Sequence, residues 1–149
     1  MMEERLTISC EFLGRLLLGS LFVLQAVSKL TAYSGTATYL SAYGVPGQLL
    51  PAVIAFEFGA GMLVAVGWFT RAAAFGLSVF CIAAAIIFHA KFSDGNQVLE
   101  FEKDLALAGA FLVLWARGAA RLSLDTLFTR SRRHPGPDLA EDRSGPGGA

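Results

Sequence analysis

Runs of about twenty apolar residues constrain this chain more than any other feature, because that length matches the hydrocarbon thickness of a bilayer. Four such runs are read from the sequence, over about 12–30, 48–68, 72–89 and 104–120. In lipid an isolated strand leaves its backbone groups unsatisfied, so each run is expected to be a helix. Pro51 falls in the first turn of the second run, where a missing N–H costs little. The fourth run is the shortest. Its uncharged part covers 105–116, and it spans only if Arg117 reaches back to the interface. The expected fold is all-α, an integral membrane four-helix bundle in one domain over 1–130. Residues 131–149 are rich in Pro, Gly and charge and are expected to be a disordered tail.

Composition agrees. Of the 149 residues 54% are hydrophobic and 16% charged, against roughly 25% charged in soluble proteins. The formal net charge is zero, which argues against a nucleic-acid partner. Cys10 and Cys81 form no CxxC pair and read as small apolar residues. The leading segment, residues 1–5, carries two acids and one base, the wrong sign for a secretory leader, so a retained helix is expected.

The zero net charge hides an asymmetry. With four spans, the N-terminus, the second connection and the C-terminal tail share one side of the membrane. Every arginine sits at or near that side, and Lys29, Lys91 and Lys103 sit at or near the other. The positive-inside rule then puts both termini in the cytoplasm. Tyr33, Tyr39 and Tyr43 fall in the first outer loop, with Trp68 and Trp115 toward the inner interface. Beyond the fourth run, 122–128 reads as a short interfacial helix with Arg121 and Asp125 paired, followed by basic Arg130, Arg132 and Arg133.

Ionisable groups inside spans need a partner or a purpose. Glu57 is the deepest, eight residues into its helix and roughly 12 Å below the outer surface at 1.5 Å per residue. Side chains lean toward their helix N-terminus, so Glu57 leans outward while Lys29, on a helix of opposite direction, leans inward. Gln25 lies one turn below Lys29 on the same face. His89 closes the third run and Asp104 opens the fourth at a similar depth. Lys29, Glu57, His89 and Asp104 are therefore expected to meet in one outer-leaflet polar pocket, with Gln25 beside them. Two readings stand at this point: a site that handles protons and ligand, or a buried ion pair that locks the bundle. Glu11 and Arg15, four residues apart, read as an interfacial anchor. One membrane-depth histidine does not make a bis-His haem, and the spacing points to no metal site and no intrinsic cofactor.

The order of short motifs resembles the DoxX family of small bacterial four-helix membrane proteins. The motifs are Arg15-Leu-Leu-Leu-Gly19, Phe22 and Ser28-Lys29-Leu30, then Tyr43-Gly44-Val45-Pro46 and Glu57-Phe58-Gly59-Ala60-Gly61. Gly67, Thr70-Arg71-Ala72-Ala73, His89 and Asp104-Leu-Ala-Leu-Ala-Gly109 continue the match. It closes on Gly118-Ala-Ala-Arg121-Leu-Ser123-Leu-Asp125, where Ala120 replaces a usual glycine and Asp104 stands where Asn is also common. The resemblance implies an inner-membrane protein similar to membrane subunits of quinone-linked oxidoreductases, but no catalytic residue set. On it rests the leading expectation, a redox subunit exchanging electrons and protons with quinone beside an oxidoreductase partner. Glu57 and His89 would handle protons, and Lys29 with Gln25 and Glu57 would contact the quinone. A membrane anchor for redox or stress-response proteins and a small transporter are the alternatives, with a homo-oligomer as a further partner state.

Overall fold

The computed structural model describes residues 2–118 and 123–125. The helix expected over 122–128, apart from 123–125, lies outside those residues, as do Arg121, the basic cluster and the tail 131–149. The described chain is all-helical. Its elements are α1 (Met2–Thr31), α2 (Tyr33–Ala42), a single 3₁₀ turn (Gly47–Leu49), α3 (Leu50–Val66), α4 (Thr70–Phe88) and α5 (Gly95–Arg117).

Three stretches are long and apolar enough to cross a membrane: α1, the continuous Gly47–Val66 and α4. The fourth expected span, 104–120, overlaps α5 as far as Arg117; α5 starts well before Asp104 because Asp94 caps it, its carboxylate accepting from the Asn96 N–H at 3.0 Å. Glu100, Glu102, Lys103 and Asp104 therefore lie on the helix itself and make its first half polar. The first outer loop is not a loop. Tyr33–Ala42 forms α2, entered through a break at Ala32, so the three tyrosines are carried on or next to a helix rather than on an irregular belt.

The long helices alternate in direction. The start of α1, the α3–α4 turn and the end of α5 share a near end, and α2 and the α4–α5 turn share the far end. Two tightly packed pairs result, α1 along α3 and α4 along α5, joined more sparsely between α3 and α4. One apolar core draws on all four helices, with Phe22, Val64, Leu77 and Phe111 among its buried members. In α4–α5, the buried Ser78 hydroxyl donates to the Ala108 carbonyl at 3.1 Å, satisfying itself across the pair.

The α1–α3 contact is set by glycine. A Cβ on Gly19 would stand 2.5 Å from the Gly61 carbonyl oxygen and 2.8 Å from the Ala65 Cβ, and a Cβ on Gly61 would stand 2.8 Å from the Gly19 oxygen. Backbone thus meets backbone, as small residues permit between membrane helices. Gly19→Ala is expected to force the helices apart and cost about 1–3 kcal/mol. Unfolding in mixed detergent micelles measures it, with Gly14→Ala, where a Cβ meets nothing within 4 Å, as the neutral comparison.

Candidate functional site

The crossing at Gly19 and Gly61 fixes what meets above it. Lys29 is ten residues toward the far end, about 15 Å, and Glu57 four residues, about 6 Å, at 1.5 Å rise per residue. Their opposed lean closes the difference. Lys29 Nζ lies 3.0 Å from Glu57 Oε1 and 2.9 Å from Oε2, and the Glu57 side chain is 3% exposed. A carboxylate this deep is held by one ammonium, through a hydrogen bond to Oε1 and an ion-pair contact to Oε2.

The second pair lies across from it. His89 ends α4, and its Nδ1 is 2.9 Å from Gln97 Oε1 on the first turns of α5. Its Nε2 is 3.9 Å from Asp104 Oδ2, too long for a direct hydrogen bond. With Gln97 as acceptor, Nδ1 carries the hydrogen and Nε2 presents its lone pair toward Asp104. Gln97 was not among the expected site residues. Its only sequence signal is an amide eight positions after a histidine, which is no signal without the turn between them.

All five expected residues, Gln25, Lys29, Glu57, His89 and Asp104, line a single cavity of about 390 Å³. Phe22, Phe80, Cys81 and Leu107 form its apolar floor, and Lys103 and Glu100, themselves paired, stand at its α5 edge. Cys81 is buried in that wall, whereas Cys10 is exposed on α1. Thr36, Tyr39, Leu40 and Val45 roof the cavity from α2 and the turn after it. Tyr39 stacks on Phe88 at 5.7 Å, Tyr43 meets the same ring edge-on at 5.5 Å, and Lys91 Nζ sits 5.2 Å over the Tyr43 ring. Partial burial and the hydrogen bond with Tyr43 push the Tyr39 phenol up to about 12, so it stays a neutral hydroxyl at any cellular pH. Among the described residues no group of three or more His, Cys, Asp or Glu is arranged to hold a metal ion.

A second polar cluster, at the near end, corrects the reading of Arg15. It is not an interfacial anchor: only 2% of it is exposed. Its guanidinium is attracted chiefly by Asp125 and then by Glu11, and it packs on the Phe12 ring at 5.9 Å. Asp125 in turn accepts from the Phe69 N–H at 2.9 Å and the Thr70 N–H at 3.1 Å, capping α4, while its own N–H donates to the Gly67 carbonyl at 3.0 Å. The α3–α4 turn is built for this. Gly67 has φ +73°, and the N–H groups of Gly67 and Trp68 close back on Val64 and Leu63. Any Cβ on Gly67 would run into the Arg15 guanidinium and Ser123. Phe69 follows with φ +47°, an unusual backbone for a bulky residue, held by its bond to Asp125.

Comparison with known proteins adds three findings. The DoxX family model matches residues 11–90. Inner membrane protein YqjF of Escherichia coli (strain K12) is 38% identical over 117 residues, covering 78% of this chain and 90% of that protein. Inner membrane protein YphA of the same organism is 30% identical over 120 residues, covering 76% and 86%. No solved structure matches.

Proposed function

The chain belongs to the DoxX family and is a multi-pass inner-membrane protein, and from that premise we propose that it is a membrane redox subunit whose far-end cavity binds a quinone. In this reading α1, α3, α4 and α5 form a four-helix transmembrane bundle. The near end with both termini faces the cytoplasm, as the arginine distribution favours. The cavity then opens in the outer leaflet.

One observation carries the proposal: polar side chains from four helices, each costly at hydrocarbon depth, line the same apolar-walled cavity. Its volume of about 390 Å³ falls in the range of small-molecule sites, roughly 300–1,000 Å³. Apolar walls with a few convergent polar groups suit a planar ring bearing two carbonyl oxygens. A bound quinone supplies a carrier of two electrons and two protons, the electrons coming from an oxidoreductase partner.

The residues divide the work by position. Lys29 Nζ and the Gln25 amide can donate to a ring carbonyl oxygen. Glu57 holds the ammonium in place and excludes other orientations of it. His89, with Nδ1 engaged by Gln97, offers Nε2 as the atom that takes or gives a proton, and Asp104 beside it balances the imidazolium that results. The roof of α2 keeps bulk water from the ring.

Two measurements test this. Solvent extraction of the purified protein is expected to release quinone near stoichiometric amount, and quinone added in nanodiscs is expected to bind. Neither release nor binding would end the redox reading. A second reading has its own observation, since Glu57 is buried with both oxygens on Lys29, an arrangement that by itself locks α1 to α3. That reading makes the protein an anchor for redox or stress-response proteins and needs no ligand.

A further inference from the structure

The cavity is closed on two sides and open on others. At or inward of the Glu57 level, aromatic contacts seal the floor: Phe22 with Phe111 at 5.4 Å, Phe56 with Phe80 at 5.6 Å and Phe22 with Phe80 at 6.3 Å. Toward the far end α2 forms a roof, with Leu40 only 5% exposed and the Tyr39–Phe88–Tyr43 cluster locked together.

The flanks differ. Leu21 on α1 lines the cavity and is also 36% exposed on the outside of the helix stack, and Gln25 one turn above it is exposed as well. At this depth the outside is hydrocarbon. The Gln25 amide has no hydrogen-bond partner among the described residues, although an unpaired amide in lipid is costly. On α4, Ile87 is likewise both wall and surface, 44% exposed, and the residues one turn back on its helix, Ala83 and Ala84, are apolar.

The geometry points to a cavity that loads sideways from the outer leaflet past Leu21 and Gln25, taking a membrane-dissolved ligand with a polar ring and an apolar tail that stays in lipid. This rests on the quinone reading above and adds the route and the tail. Gln25 is the specificity element of the portal: its amide meets the ring's oxygen as the ring leaves the bilayer. The cavity itself has room for the ring, and the tail remains between Leu21 and the acyl chains, where its burial costs nothing relative to free lipid.

The test compares two probes in nanodiscs, a decyl-substituted benzoquinone and the same ring with a methyl in place of the tail. They are titrated against the wild type, Leu21→Trp and Ile86→Trp; Leu21 stands at the portal, whereas Ile86 is 60% exposed on α4 and does not line the cavity. Leu21→Trp is expected to weaken the tailed probe by about tenfold, to leave the tailless probe within about twofold, and Ile86→Trp to change neither. The sideways route is overturned if Leu21→Trp leaves tailed binding intact, or if it weakens both probes alike. Binding of the tailless ring with exclusion of the tailed one also overturns it, while leaving the quinone site standing. Failure of both probes on the wild type removes the quinone site and the route together.

Discussion

Replacing Asp125 by alanine is expected to lower the unfolding free energy by about 3–5 kcal/mol, because it strands a buried guanidinium without its chief counter-charge. Arg15 is 2% exposed, and the groups around it are arranged on the assumption that Asp125 is present. The same carboxylate caps α4 through the Phe69 and Thr70 N–H groups, so its loss also frees two backbone donors at a turn with two positive-φ residues, Gly67 and Phe69. Asp125→Asn keeps an acceptor and loses the charge, and is expected to fall between wild type and alanine. The double variant Arg15→Met/Asp125→Ala removes both charges. It is expected to be more stable than Asp125→Ala alone, with a coupling of about 0.5–3 kcal/mol in a double-mutant cycle. Reversible unfolding in mixed micelles measures all five proteins: the wild type, the two Asp125 variants, Arg15→Met and the double variant. Independent, additive losses would mean that the near-end cluster is not one unit.

The second large effect is at the far end. Lys29→Met leaves the Glu57 carboxylate buried and uncompensated, and is expected to cost about 3–5 kcal/mol or to drive the side chain to take up a proton. The paired variant Lys29→Met/Glu57→Gln exchanges an ion pair for groups of similar volume, which is often close to neutral for stability. It therefore gives a folded bundle without the charges. If the pair is only a lock between α1 and α3, this variant keeps every property of the wild type. If the pair is part of a ligand site, the fold survives and binding does not. Stability and binding thus separate the two readings in one molecule.

Much of the far-end geometry is legible in the sequence because it depends on depth, and depth follows from counting residues along straight helices. The meeting of Lys29 with Glu57, and the approach of His89 to Asp104, need only the helix rise, the alternating directions and the lean of side chains. The rotation of each helix about its axis is not available from counting. It is set by contacts such as Gly19 on Gly61, which bring the right faces together.

What stays hidden has a common cause: it depends on chain segments distant in sequence. Arg15 lies near the end of an apolar run and looks like an anchor until the α3–α4 turn and Asp125 are seen to enclose it. Asp125, more than fifty residues from Thr70, gives no local sign that it caps α4. Gln97 matters only once the α4–α5 turn folds it back on His89. The helix α2 is invisible for another reason. Tyr33–Ala42 is a mixture of small and aromatic residues with weak periodicity, and its place is decided by Phe88 and the cavity beneath it rather than by its own propensity.

The central claim is that the far-end cavity is a ligand site and not merely the space left around an ion pair. Equilibrium binding of the decyl-substituted benzoquinone in nanodiscs to wild type and to Lys29→Met/Glu57→Gln, with the unfolding free energy of both measured alongside, tests it most directly. Saturable binding to the wild type is expected, with affinity at least about tenfold weaker in a double variant of near-unchanged stability. No binding to the wild type, or equal binding to both, would contradict it.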